Sequence, residues 1–358
     1  MWKEPVMNKQ LHRDARRRRL WAASFIAAWN LAGSLASHAE GSIDDVGRAG
    51  FYMRLDNDVF AGTDRGYSNG TEFGFVSPTV DDFQDERLSS ATRWLNRRLA
   101  WLQPQGYAHN NIALTLGQGI YTPSDWRLEN PDPRDRPYAG VLVAGVTYNG
   151  RDRDSMRSTT FNVGVVGPSA YAEETQRLVH DALGGNRFAG WDHQLRDEPV
   201  FRLLQQRMHK RTWIGAATMS DVILHYGGSI GNLMTFVNAG AEIRFGSWFP
   251  DNFGSAPLLP VYENTAPSIG PVHSERVRFH GFMAFDVRYL IHDITLDGNT
   301  FKDSASVDRK DLVADLGIGF AAHWGNWKIA FARYFRTREF RGQAANAELG
   351  SITIRRAI

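Results

Sequence analysis

Leu312, Ala314, Leu316, Ile318 and Phe320 fall on one side of an extended segment, and Asp315, Gly317 and Gly319 fall on the other. The same pattern recurs in Val237–Phe245, where Asn238, Gly240, Glu242 and Arg244 oppose an apolar stripe, and in Phe285–Ile291, with Asp286 and Arg288. Strict alternation marks strands with one apolar face. Either a sandwich with a solvated outer face or a barrel whose apolar face meets lipid would give it. Length separates the two. The alternating stretches 218–229, 233–246, 280–291 and 310–323 each run ten residues or more. Sandwich strands cluster near five or six residues, whereas a tilted bilayer-crossing strand needs about nine to eleven. Trp248, Phe249, Trp324 and Trp327 stand near strand ends, as the aromatic girdles of membrane barrels do.

Strands are expected near 50–58, 67–77, 110–120, 139–149, 158–166, 199–214, 218–229, 233–246, 279–291, 310–323, 326–337 and 348–356. Twelve is an even number, as single-chain bacterial barrels require. Helical breaks are expected from Glu86 to Leu102 and from Ser169 to Leu183, the second closed by Gly184. The fold expected is therefore all-β, a twelve-stranded antiparallel outer-membrane β-barrel with short helices in the connecting loops. No internal repeat or linker divides it.

The N-terminus agrees with export. Basic residues from Arg13 to Arg19 precede an apolar run from Leu20 to Leu35, which ends in Ser37-His38-Ala39 before Glu40. That is the order of a secretory signal peptide, and Asn30, Gly33 and Ser34 interrupt the run as a membrane anchor would not. The expected division is a signal peptide over 1–39 and a single barrel over 40–358. Charge is nearly balanced, 41 Lys and Arg against 39 Asp and Glu, with much of the excess in Arg16–Arg19 and Arg355-Arg356. A nucleic-acid partner would need a basic face on the folded body, so none is expected. The absence of cysteine excludes disulfides and thiolate metal sites.

One stretch has no folding reason to be where it is. The strand beginning at Phe51 runs into Asp56-Asn57-Asp58, although strands favour β-branched and aromatic side chains. Thr63-Asp-Arg-Gly-Tyr-Ser-Asn-Gly70 follows at once, with a hydroxyl at Ser68. Polar residues of this kind also build ordinary hairpin loops, but oxygen donors at this density suit a hard cation such as Ca²⁺. In the second helical break Glu173, Gln176 and His180 recur at i, i+3 and i+7 and share one face. A solvated polar face is the plain explanation of such a triplet. A face leaning over a barrel mouth would instead place His180 as a general base near neutral pH.

Several blocks then occur in a shared order: Asn57-Asp58, Asp64-Arg-Gly-Tyr-Ser-Asn-Gly70, Gly119-Ile-Tyr-Thr-Pro123, and Asp135-Arg-Pro-Tyr-Ala-Gly140. Gly164-Val-Val-Gly-Pro168 with Gln176 and His180 follows, then Gly190-Trp-Asp-His-Gln-Leu195 with Glu198-Pro199. In these the chain resembles the outer-membrane lipid A deacylases that act at the 3′ position, from about residue 50 to the C-terminus. The resemblance implies a twelve-stranded barrel and Ca²⁺-dependent ester hydrolysis, with a site between barrel and outer leaflet. It matches Asn57 and Asp58 to the family's Asn-Asp pair, which would hold the metal, and His180 to its catalytic histidine. Ser68 falls where the family carries Thr or Ser, as nucleophile or as a positioning hydroxyl. Its surroundings are not the G-x-S-x-G elbow of serine hydrolases.

The resemblance also implies a monomer in the outer-membrane bilayer acting on lipid A of lipopolysaccharide. Arg65, Arg127 and Arg136, with Gln176, are then the expected substrate contacts. Arg127 is the cation nearest to where some members place a substrate-contacting Lys, and the chain ends on Ile358 where family barrels commonly end on an aromatic. A phospholipid acyl hydrolase and a non-enzymatic barrel remain as alternatives. Twelve strands enclose little channel, which weighs against a pore.

Overall fold

The computed structural model describes residues 47–57, 66–183, 188–215, 218–255 and 276–358. The leader expected over 1–39 lies outside the described residues. The twelve strands are β1 (Gly50–Asn57), β2 (Gly66–Val76), β3 (His109–Thr122), β4 (Ala139–Arg151), β5 (Ser155–Val166) and β6 (Glu198–Ile214). They continue as β7 (Met219–Ile230), β8 (Met234–Gly246), β9 (Arg278–Asp293), β10 (Leu312–Trp324), β11 (Trp327–Arg336) and β12 (Ala347–Ala357). Each pairs antiparallel with its neighbours in the chain, and β12 returns to β1, so the sheet closes on itself as expected. Closure leaves no strand edge unpaired, the condition for a sheet to cross lipid.

The alternation reads outward and inward as the sequence suggests. Along β8, Val237, Ile243 and Phe245 are exposed while Asn238, Glu242 and Arg244 are buried. The molecule is apolar outside and polar inside. A chain of buried groups fills the lumen. Arg336 Nε donates to Asp315 Oδ1 at 2.7 Å, and Arg288 pairs with the same carboxylate. Arg288 also stands 3.2 Å from Asp286, whose other oxygen meets His225 Nε2 at 2.9 Å. Arg244 Nε donates to Asp221 at 2.9 Å. Charges so far from water hold their ionised form only when paired and hydrogen-bonded.

The register places both termini at one end, where Gly50 lies opposite Ala357 and Val76. The connections at that end are 77–108, 152–154, 215–218, 247–277 and 325–326; the others lie at the opposite rim. The first carries α1 (Ser90–Arg98), within the helical break expected over 86–102. Residues 247–255 close the lumen from the terminal end. Arg151 donates to the Asp251 carbonyl at 3.0 Å, Lys210 pairs with the Asp251 carboxylate, and Arg244 lies 4.7 Å over the Phe249 ring.

The helix expected from Ser169 begins later. Pro168–Ala170 form a single 3₁₀ turn, Tyr171 adopts a left-handed conformation (φ 57°), and α2 runs Ala172–Leu183. Ser169 does not cap it, because its amide and hydroxyl both donate to Asp197, at 2.7 and 2.8 Å. A four-residue helix, α3 (Ile294–Asp297), follows β9 and was not expected; Asp293 caps it by accepting from the Thr295 amide.

Candidate functional site at the rim away from the termini

The strand register assembles one arc of rim. Asn57, the last residue of β1, lies opposite Asn69 of β2, Asn69 lies opposite Ile120 of β3, and Ile120 lies opposite Gly140 of β4. Strands sit about 4.8 Å apart, so these four positions span roughly 14 Å. Between β2 and β3 the register slips: Tyr67 faces Tyr121, Asn69 faces Ile120, and Ser68 is the extra residue. A bulge of this kind bends the strand and re-aims a side chain. The backbones of Ser68 and His180 belong to β2 and α2; their side chains, and the whole of Asp58 and Arg65, lie outside the described residues.

At the end of the arc α2 is seated by close contact. A Cβ on Gly140 would stand 2.5 Å from that of Ala172, so only glycine lets the helix start approach β4 this closely. The Gly167 amide donates to the Gly140 carbonyl at 2.9 Å, and Gln118 Nε2 reaches from β3 to the Ala170 carbonyl at 2.7 Å. Gly167 itself has φ 107°, a conformation that disfavours any side chain. The loops 123–138 and 188–197 brace the helix. The Leu195 amide donates to the Tyr138 carbonyl at 2.9 Å, and the Tyr138 and Trp191 rings lie 4.9 Å apart. Burial pushes the Tyr138 phenol up to about 12, so it stays protonated.

Trp191 also fixes the rotation of α2, since its indole Nε1 donates to Gln176 Oε1 at 2.8 Å. Gln176 is buried, and its Nε2 finds no partner among the described residues. His180 follows one helical turn later, on the same face. Sequence reasoning did not pick out Gln118, Gly140 or Trp191 as supports. The only hint was that Gly140 and Trp191 fall inside recognised blocks.

The expected substrate cations divide. Arg127 is exposed and folds back on Asp125, 2.9 Å from Nε, a hydrogen bond that raises the guanidinium further. Arg134 makes the same local pair with Asp132, whose carboxyl it lowers to about 2. Arg136, expected to meet a headgroup, is instead buried inside the mouth. Its guanidinium lies 3.3 Å from Glu339, 3.3 Å from the Thr295 hydroxyl and 4.8 Å over the Tyr121 ring. Burial alone would raise the Glu339 carboxyl, but Arg136, Arg336 and Arg288 bring it below the usual glutamate range.

Donor chemistry at the arc fits a hard cation. The Asp56 carboxylate is taken by Arg54, at 2.8 and 2.6 Å, and faces the lumen, so it is not available as a ligand. Asn57 alternates away from the lumen and brings an amide oxygen, next to the Asp58 carboxylate in sequence. Among the described residues no three His, Asp or Glu side chains converge as a cage. The expected ligand Asp58 lies outside the described residues.

Two other features lie at the opposite end and do not join this arc. A cleft of about 950 Å³ is lined by Lys210, Asp221, Arg244, Phe249 and Asp251 among others. Ser255 and His280 form a hydrogen bond of 2.7 Å, but both are buried, and His280 Nδ1 has no carboxylate to orient it.

Comparison with known proteins bears on the family and the fold. The family model described as "Outer membrane protein LpxR" matches residues 20–358. Among solved structures, LpxR from Salmonella typhimurium superposes with a TM-score of 0.70 at 17% identity, over 86% of this chain and 100% of that one. The β-domain of the Bordetella autotransporter BrkA gives a TM-score of 0.39 at 10% identity, covering 87% of this chain and 100% of the other. No curated protein matches significantly.

Proposed function

The chain belongs to the LpxR outer-membrane protein family, and from that premise we propose that it hydrolyses the 3′-linked acyl ester of lipid A in the outer leaflet. The observation that supports this most is the single rim arc. Asn57, the bulged Ser68 and the start of α2 lie within four adjacent strands, at the end where the catalytic loops would meet the leaflet.

In this reading His180 accepts a proton from a water molecule as the water oxygen bonds to the ester carbonyl carbon. The ester C–O bond then breaks, the fatty acid leaves, and the proton passes from His180 to the alkoxide left on the sugar. Ca²⁺, held by oxygens of Asn57 and Asp58, supplies positive charge beside the carbonyl when bound. Ser68 positions the water or the ester. Gln176, locked by Trp191, offers its unpartnered Nε2 to an acyl oxygen. Arg127 lies in a rim loop, where a glucosamine phosphate would be presented, and Arg65, which precedes β2 in sequence, would join it there.

The test is the product. Lipid A from a host without its own deacylase, expressing this chain, should lose the mass of the 3′ acyl group, and the His180→Ala chain should leave it intact. Release of acyl chains from phospholipid with lipid A unchanged would replace this reading with a phospholipid hydrolase.

A further inference from the structure

The connection carrying α1 packs against the outside of the barrel. Thr147 faces the lumen, where its hydroxyl meets Thr160 at 2.8 Å, so the next residue, Tyr148, points outward. Yet Tyr148 is fully buried: its hydroxyl donates to Asn96 of α1 at 2.9 Å, and Leu88, Leu102, Ile112 and Val146 surround it. Ser89 caps the helix, accepting from the Thr92 amide.

What α1 leaves uncovered is specific. Trp94 is 54% and Trp101 66% exposed, and the Trp101 ring lies 6.5 Å from Phe161 on the outer wall of β5. From Leu88 to Ala108 the chain carries Arg93, Arg97 and Arg98 and not one Asp or Glu. None of the three forms an ion pair among the described residues: Arg93 donates to the Glu86 carbonyl and Arg97 to Gln84 Oε1, each at 3.2 Å, and Arg98 lies 5.6 Å over the Trp94 ring.

The rest of the terminal rim shows what such residues are for. Trp213, Phe245, Phe279, Trp324 and Trp327, on β6 and β8–β11, form an exposed aromatic girdle at this end. On β4 and β5 the corresponding outward positions, Tyr148 and its cross-strand partner Thr159, are buried, and the girdle is interrupted. Trp94 and Trp101 stand in that gap.

We propose that α1 is an interfacial helix that completes the girdle over β3–β5. Trp94 and Trp101 enter the headgroup layer of the leaflet at the terminal end, and Arg93, Arg97 and Arg98 bind the phosphates of its anionic phospholipids. The charge is complementary, the surface continues the lipid-facing band, and aromatic and cationic side chains together are what that layer selects. This site is at the far end from the proposed hydrolytic rim and does not depend on it.

The experiment uses the full chain, which has no cysteine of its own. A nitroxide on Ala91→Cys, on the exposed side of α1, should be more accessible to oxygen than to a water-soluble nickel chelate in bilayers containing phosphatidylglycerol. Retention of phosphatidylglycerol over phosphatidylcholine is then read by native mass spectrometry. It should fall about fivefold for each arginine changed to Gln, and roughly a hundredfold for Arg93→Gln/Arg97→Gln/Arg98→Gln. Heat-dependent gel migration verifies that each variant barrel is folded. An unchanged preference in the folded triple variant, or a label that stays in water and leaves α1 free for a protein partner, would overturn the proposal.

Discussion

Gly140→Ala is the sharpest probe of whether the seat of α2 positions chemistry. The added Cβ would stand 2.5 Å from Ala172 Cβ and 3.3 Å from Ala170 Cβ. The first is about 1 Å short of ordinary carbon contact. The backbone at Gly140 needs no positive φ, so space alone is at issue. If nothing yielded, overpacking of this kind would cost about 1–3 kcal/mol. The barrel wall is held on both sides by β3 and β5, whereas α2 rests on the rim, so the helix start is the part that moves. A shift near 1 Å at a catalytic group lowers rates on the order of a hundredfold. Acyl release from lipid A in detergent micelles should show that loss in kcat rather than in KM, with heat-dependent gel migration unchanged. Adding Ala172→Gly removes the clashing methyl and should restore most of the rate. A folded Gly140→Ala chain with an undiminished rate, or a loss that Ala172→Gly leaves in place, would refute the positioning argument.

Further outcomes follow from the same site. Asp58→Ala and His180→Ala should each abolish turnover in a folded barrel, and chelation should do so reversibly, with Ca²⁺ restoring more activity than Mg²⁺ because flexible oxygen sites favour the larger ion. Ser68→Ala should lower the rate only partly if water is the nucleophile, and as deeply as His180→Ala if the serine is. Arg65→Ala and Arg127→Ala should weaken use of bisphosphorylated lipid A more than of a neutral ester, measured as the ratio of kcat/KM. Arg136→Ala should cut both alike and destabilise the barrel by about 1–3 kcal/mol in thermal unfolding, since buried Glu339 loses one charged partner and keeps Arg336. Because Glu339 titrates below its unfolded value near 4.3, its contribution is complete above that pH and is lost as pH falls through the lower folded value. Glu339→Gln should flatten the acid side of the stability profile recorded in detergent.

The strands were legible because each face of the wall meets one environment. Val237, outside, answers to lipid, and Asn238, inside, answers to Gln206 and Asp286, so two-residue alternation survives intact. It fails where the lumen turns apolar. Met156 points inward against Met208, Ile223 and Phe253 of the closing segment, and the expected β5 therefore began three residues late. The order of the rim was legible for a local reason: Asn57 ends β1, Ser68 lies near the start of β2, and His180 belongs to α2, which follows β5 in the chain. Their supports were not. Arg136 reads as a loop cation until Glu339, 203 residues away, is folded against it. The helical triplet does not say which member faces protein, and it is Gln176 that Trp191 takes.

The filled lumen bears on where hydrolysis can occur. Among the described residues, paired charges recur along the inner face from Arg136 at the mouth to the segment around Asp251 at the terminal end, and they stand across any path for an acyl chain through the lumen. A lipid approaching from the side, along the outer wall, meets none of these charges. On β1 the alternation sends Asp56 inward, where Arg54 neutralises it, and turns Asn57 away from the lumen. Adjacent residues of one strand are thus given opposite tasks by the pleat alone. The Asp56 carboxylate pairs with Arg54 of the same strand, and the Asn57 amide is turned to the side from which the proposed substrate would come. A hydrolytic site of this proposed kind belongs on the rim's outer side, and it needs no pore.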